Sequence, residues 1–190
     1  MTTDLAAVTN VDDKILIDLI QSSNKRLIFM TPGMSKAVAK AFCSKWEALG
    51  PQAVNVIIDA DPEVCRLGYG TVDAISLLYT KAKDIGSSVH QQPGIRIALL
   101  VTDDKTIIYS PPPLLIEAGK TTETQPNAIV LDFTPPAVAA AIGVGEKGKE
   151  EQIIGLSNVK AETIQNVKND LVNNPPQKFD VARKVRVFNS

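Results

Sequence analysis

Short, unbroken apolar runs alternate with segments of helical period along most of this chain. The runs lie at residues 25–31, 53–59 and 95–102, and their length is typical of buried strands. Between them, apolar residues recur every three or four positions, which is the spacing of one helix face. The order strand, helix, strand, helix, strand indicates a sheet with helices packed on its faces.

The helical segments carry start and stop signals. Asp12 and Asp13 can cap the first helix with their side-chain oxygens. The second helix runs from about Met34 to the pair Gly50–Pro51, and the third is closed by Gly86. These signals place one helix before the first strand and one helix in each gap between the three strands.

The third apolar run continues into a hairpin. A polar turn that begins at Asp103 leads to a further strand over residues 106–110. The prolines at 111–113 cannot extend it as a central strand, because proline lacks the ladder donor. Another strand is predicted over 128–133. We therefore predict an α/β fold with a mixed β-sheet, helices on its faces and a C-terminal helical arm.

The sequence changes character near residue 140. Residues 143–152 are rich in glycine and charge, which is typical of a linker. They also fit a phosphate-loop spacing, but Glu150 stands where that loop needs a hydroxyl, and a charged hinge is the favoured interpretation. We predict an α/β domain over 1–140 and a linker with a C-terminal helical segment over 141–190, the start of a further region of a larger protein.

Composition excludes several classes of function. With 20 basic and 21 acidic residues the net charge is −1, which argues against a dominant nucleic-acid interface, although a local basic patch stays open. Cys43 and Cys65 form no disulfide framework and are predicted to be reduced, with at least one buried. No signal peptide or transmembrane run is present, so we predict a cytoplasmic protein. The single histidine, His90, excludes a His-rich zinc site, and we predict no cofactor or metal.

An acidic loop follows the second strand and contains Asp59, Asp61, Arg66 and Tyr69. Open α/β sheets bind ligands at the carboxyl ends of their strands, so these side chains are candidates for a ligand site. The same residues also suit helix capping and turn formation, with Arg66 paired to a carboxylate. Both interpretations stay open.

Arg96 and His90 are two further candidates for ligand contacts. Arg96 lies within the third strand, where a guanidinium needs either an acidic partner or an anionic ligand. His90 lies in a segment predicted to be a loop. It is either a solvent-facing side chain or a ligand contact near the sheet edge.

The stretches KRLIFMTPGMS, QAVNVIIDADPEVCRLGYG and GIRIALLVTDDKTIIYS resemble one half of a phospholipase D-like domain, over roughly residues 12–115. The family motif is H-x-K-x-x-x-x-D. When its aspartate is placed on Asp103, Arg96 occupies the histidine position and Ala98 the lysine position. Ser110 falls near the Gly-Ser site that follows the motif.

The resemblance implies the fold, a two-fold homodimer and an inherited pocket for a phosphate-containing ligand or nucleic acid. It does not imply catalysis. Family members attack phosphorus with one histidine and protonate the leaving group with another, whereas arginine stays protonated and alanine offers no charge.

We therefore predict a non-catalytic phospholipase D-like binding or regulatory module with a polar anion site. Its candidate residues are Arg96, Asp59, Asp61, Arg66, Tyr69, Asp103, His90 and Ser110. Two alternatives stay open. One is a phosphodiesterase or nuclease that uses His90 in an unusual geometry or a metal held by the acidic loop. The other is a structural interaction domain whose residues 135–190 form an arm.

Overall fold

The computed structural model describes residues 5–103, 105–116, 125–144 and 151–178. They contain one eight-stranded mixed sheet with the strand order β1-β7-β6-β5-β2-β3-β4-β8. The strands are β1 (Val8–Thr9), β2 (Leu27–Thr31), β3 (Val54–Ile58), β4 (Val89–Gln91), β5 (Ala98–Val101), β6 (Thr106–Tyr109), β7 (Ala128–Leu131) and β8 (Ser157–Asn158). Neighbours β2, β3 and β4 are parallel, and every other pair is antiparallel. The predicted mixed α/β fold is confirmed.

The described residues form six helices, and the second, third and fourth of them connect the parallel strands. They are α1 (Asp13–Ser22), α2 (Lys36–Leu49), α3 (Pro62–Leu67), α4 (Val72–Asp84), α5 (Pro136–Ala141) and α6 (Ala161–Asn173). Side chains of Asp12, Ser35 and Thr71 accept hydrogen bonds from backbone N–H groups in the first turns of α1, α2 and α4. Each cap stabilises its helix by about 1 kcal/mol. None of the described helices is long and apolar enough to cross a bilayer.

The larger core lies between the sheet and helices α1, α2 and α4. Phe29 on β2 stacks on Phe42 of α2 with ring centroids 5.2 Å apart. Trp46 is buried beside them and donates from Nε1 to the carbonyl of Val54 at 3.0 Å. Because strand side chains alternate between faces, Val56 and Leu100 face this core while their neighbours face the other side.

A smaller core covers the opposite face of the sheet. Ile28, Met30, Ile57 and Leu99 belong to it, and Ile142 just after α5 closes it. One helix and its flanking chain therefore cover this face, whereas several helices cover the other. The sheet is buried on both sides in its centre, which explains why β2 reads as a continuous apolar run.

The segment that follows residue 150 packs on the same cores. Strand β8 pairs with β4, and α6 packs on α4 and α3. Ile164 of α6 is 6% exposed and belongs to the larger core. Residues 145–150 of the glycine-rich stretch at 143–152, and residues 179–190, lie outside the described residues.

Candidate functional site

Asp59 and Arg96 form an ion pair just beyond the carboxyl end of β3. The carboxylate of Asp59 is 3% exposed, and its Oδ2 accepts from the Gly94 backbone N–H at 2.9 Å and from Arg96 at 3.3 Å. The Arg96 side chain is 52% exposed and also donates to the Ile95 carbonyl at 2.7 Å. Of the two partners predicted for this guanidinium, the structure provides the acidic one.

The position predicted for Arg96 within a strand is wrong. Strand β5 begins at Ala98, and the residues before it form the bend that Gly94 opens. The backbone of Gly94 has φ +79°, a conformation that favours glycine. The bend carries Arg96 out of the sheet interior, and its charge therefore meets both solvent and Asp59.

The side chain of Arg66 forms a second cluster of ion pairs, between α3 and α6. Its Nε donates to Glu63 at 2.8 Å, and its Nη1 donates to Asp170 of α6. Asp61 caps α3 by accepting from the Glu63 backbone N–H at 2.7 Å. For these residues the structure favours the capping and pairing roles.

Asp103 lies at the other end of the sheet. Its carboxylate accepts from the backbone N–H groups of Asn24, Lys25 and Arg26 at 2.7, 2.8 and 2.8 Å, just before β2 begins. Partial burial opposes ionisation, but these three donors outweigh it and lower the pKa of Asp103. The five-residue strand β2 is about 16 Å long and separates this carboxylate from the end of the sheet where Asp59 lies. The structure does not bring Asp103 together with Asp59 and Arg96.

His90 and Ser110 are also apart from one another. His90 is half-buried on β4, paired with Ile57 and Asn158, so the predicted loop position is wrong. Ser110 is exposed directly after β6 and donates its backbone N–H to the Asn127 carbonyl at 2.9 Å. Neither residue lines the groove described below.

Tyr69 is the predicted residue that does line a large cavity. A groove of about 960 Å³ runs across the end of the sheet where β2 and β6 terminate. Its walls come from the starts of α1, α2 and α4, from residues 68–72, from the proline segment after β6 and from the end of α6. The apolar lining includes Val11, Leu16, Met34, Val72, Pro111, Pro112, Leu114, Leu115, Leu171 and Pro176.

Close backbone contacts between glycines shape this groove. A Cβ atom on Gly70 would lie 2.6 Å from the Met34 nitrogen and 3.0 Å from the Gly33 Cα. The loop after β2 and the loop before α4 therefore touch backbone to backbone. On the opposite wall, a Cβ on Gly68 would meet the Leu115 nitrogen at 2.6 Å, and Leu115 donates to the Leu67 carbonyl. Only glycine fits at these points.

One end of the groove is polar. Tyr109 lies there, 6% exposed, with its hydroxyl in hydrogen-bonding contact with Thr31. Burial raises the pKa of the Tyr109 phenol, and the nearby charge of Asp13 raises it further. The phenol therefore stays neutral at physiological pH.

Both cysteines are free, and the predicted burial of at least one is confirmed. Cys65 is buried beneath the groove, and burial raises its pKa to about 11. A thiol with that pKa is a poor nucleophile. Among the described residues, no three His, Cys, Asp or Glu side chains are grouped as a metal ion would require.

The chain matches no protein-family model and no curated protein. One solved structure resembles it in part, that of TrmBL2, an archaeal chromatin protein described as showing a novel mode of DNA binding. The sequence identity is 10% and the TM-score 0.39, over 70% of this chain and 48% of that chain. This chain thus spans about half of that protein, and a similarity at this level establishes neither fold nor function.

Sequence reasoning identified Tyr69 but missed the groove. Two signals pointed towards it: the glycines that flank Tyr69 and the three prolines at 111–113. In the sequence, the glycines indicate only a shaped backbone around Tyr69, and the prolines indicate only the end of a strand. Only the fold shows that the two segments meet, because Gly68 and Leu115 are in contact although they are far apart in the sequence.

Proposed function

We propose that this chain is a non-catalytic ligand-binding module of phospholipase D-like type, and that its ligand occupies the groove at the end of the sheet. The observation that carries the proposal is the groove itself. It measures about 960 Å³, which is within the range of small-molecule sites, and apolar side chains with few polar groups line it. It also lies beyond the carboxyl end of β2, where α/β sheets bind ligands.

The pairing of the two arginines argues against the anion site expected from the sequence. Arg96 faces Asp59, and Arg66 faces Glu63 and Asp170, so carboxylates already neutralise both guanidinium groups. An incoming phosphate would have to compete with these carboxylates. It would also meet their negative charge at close range.

The absence of phosphodiester cleavage is part of the same proposal. Arg96 and Ala98 stand at the positions of the family's histidine and lysine, and neither provides a nucleophile or a free charge at a cavity. His90 lies on β4, away from the groove lining. We expect no turnover of bis(4-nitrophenyl) phosphate with or without Mg²⁺, and turnover that His90→Ala abolishes would contradict this.

The two-fold homodimer that the resemblance implies is also a proposal. It is independent of the groove, since one chain contains all the walls described above. Light scattering across a concentration series tests it directly. A molar mass of twice the 20.4 kDa chain supports the dimer, and a single-chain mass at all concentrations contradicts it.

A titration with the neutral apolar dye Nile red tests the groove. Leu114 lines the groove and is 60% exposed, so Leu114→Ser removes apolar contact without opening a core cavity. Leu156 is 72% exposed and lies outside the groove lining, which makes Leu156→Ser a matched control. We expect saturable binding that Leu114→Ser weakens several-fold and Leu156→Ser leaves unchanged. Equal effects of the two changes would contradict groove binding.

A further inference from the structure

The mouth of the groove carries an excess of negative charge. Asp12, Asp13 and Lys14 line it at the start of α1. Lys14 is paired with Asp18 at 3.1 Å along the same helix. Asp12 and Asp13, by contrast, have no cation within 4.0 Å among the described side chains. Asp12 accepts from the Ile15 backbone N–H at 2.9 Å, but neither Asp12 nor Asp13 has a cationic partner among the described side chains.

These carboxylates lie next to the polar end rather than on a remote surface. Asp13 and Tyr109 both line the groove. The Tyr109 hydroxyl is already engaged with Thr31. An occupant that reaches this end thus meets negative charge beside a neutral aromatic ring.

The rest of the groove is suited to an apolar body. Met34, Leu115 and Pro112 line its length, and Tyr69 adds an aromatic side chain. Aromatic faces attract cations as well as apolar groups. An anionic ligand would gain the same apolar contacts but would be repelled by Asp12 and Asp13.

We infer that the groove selects lipophilic organic cations, with the cationic centre near Asp12 and Asp13 and the apolar body along Met34, Tyr69 and Leu115. This inference rests on the proposed groove-binding function and specifies the charge of the ligand. The geometry that supports it is the placement of two carboxylates, without a cationic partner among the described residues, in the lining of an apolar cavity.

Two ions of the same shape and opposite charge test this inference: tetraphenylphosphonium and tetraphenylborate. Their affinities are measured by calorimetry on the full chain, as purified and after Asp12→Asn with Asp13→Asn. Asparagine keeps a side-chain acceptor for the helix cap, so α1 retains its start while both charges are removed. Asp84→Asn is the control, since Asp84 is exposed at the far end of α4, a helix of 13 residues and about 20 Å in length.

We expect the unaltered chain to prefer the phosphonium ion. The double change should weaken phosphonium binding about three- to ten-fold, as for removal of two partly solvated charges, and should reduce the preference for the phosphonium over the borate ion. Asp84→Asn should leave the preference intact. Nile red binding without any phosphonium preference, or a preference that survives the double change, overturns this inference and leaves the groove proposal standing. Failure of all three probes to bind overturns the groove proposal itself.

Discussion

The buried carboxylate of Asp59 is held against the half-exposed guanidinium of Arg96 at 3.3 Å. This pair gives the conspicuous arginine of the sequence a structural role. Asp59 also fixes the Gly94 N–H, so one carboxylate ties the end of β3 to the bend before β5.

A double-mutant cycle measures this pairing. Arg96→Ala leaves the Asp59 charge buried with a single remaining donor, which should cost about 1–3 kcal/mol of unfolding free energy. In an Asp59→Asn background no buried charge needs compensation, so the same change should cost less than about 0.5 kcal/mol. Urea unfolding followed by Trp46 fluorescence provides both values. Equal costs in the two backgrounds would show that Arg96 does not serve Asp59.

Gly70→Ala tests how the groove is built. The added Cβ would lie 2.6 Å from the Met34 nitrogen, so two backbone segments must separate at a cost of about 1–3 kcal/mol. Gly50→Ala is the control, because Gly50 has φ +85° but nothing within 4 Å, and only strain of about 1–2 kcal/mol applies. Both changes should lower the unfolding midpoint. Only Gly70→Ala should weaken Nile red binding, and unaltered binding would place the dye elsewhere.

The lowered pKa of Asp103 makes the free energy of unfolding depend on pH. Its pKa is lower in the folded chain than in the unfolded chain, so its contribution is complete above the unfolded value of about 3.9 and is lost as pH falls through the folded value. Asp103→Ala should therefore cost about 1–2 kcal/mol near neutral pH, where three N–H groups lose an ionised acceptor. That difference should shrink below pH of about 4. A difference that grows on acidification would contradict the assignment, and Asp84→Ala is the exposed control.

Ile164→Ala tests whether α6 belongs to the same folding unit as the sheet. Ile164 is buried in the larger core, so its truncation should cost about 2–5 kcal/mol. Val172 is 80% exposed on the same helix, and Val172→Ala should change stability by less than about 0.5 kcal/mol. The readout is the unfolding midpoint of Trp46, which lies in the core formed by α2. An unchanged Trp46 midpoint in Ile164→Ala would mean that α6 unfolds separately.

Much of the sheet could be predicted because its signals are local. The apolar runs at 25–31 and 53–59 became β2 and β3 with ends shifted by at most two residues, and the predicted cap Asp12 sets the start of α1. Each of these elements contains enough apolar or capping residues to specify itself. The short strands β1, β4 and β8 do not, since two or three residues gain their conformation from pairing alone.

The candidate site was harder to predict for a different physical reason. Asp59, Arg96 and Asp103 are chemically conspicuous, but the fold satisfies each of them with a partner remote in sequence, such as Gly94 or the N–H groups before β2. The groove depends instead on apolar residues from six segments that no local pattern connects. A charged residue in an apolar segment needs a partner, and only the fold shows whether that partner is another residue of the chain or a ligand.

Amide chemical shifts test most directly where the ligand binds. Titration of the ¹⁵N-labelled chain with Nile red should perturb the amides of Gly33, Tyr69, Val72 and Leu115, which line the groove. Amides of Gly94 and Arg96, beside the Asp59 ion pair, should stay unchanged. Shifts concentrated at Gly94 and Arg96, with the groove amides unaffected, would contradict the assignment of this cavity as the binding site.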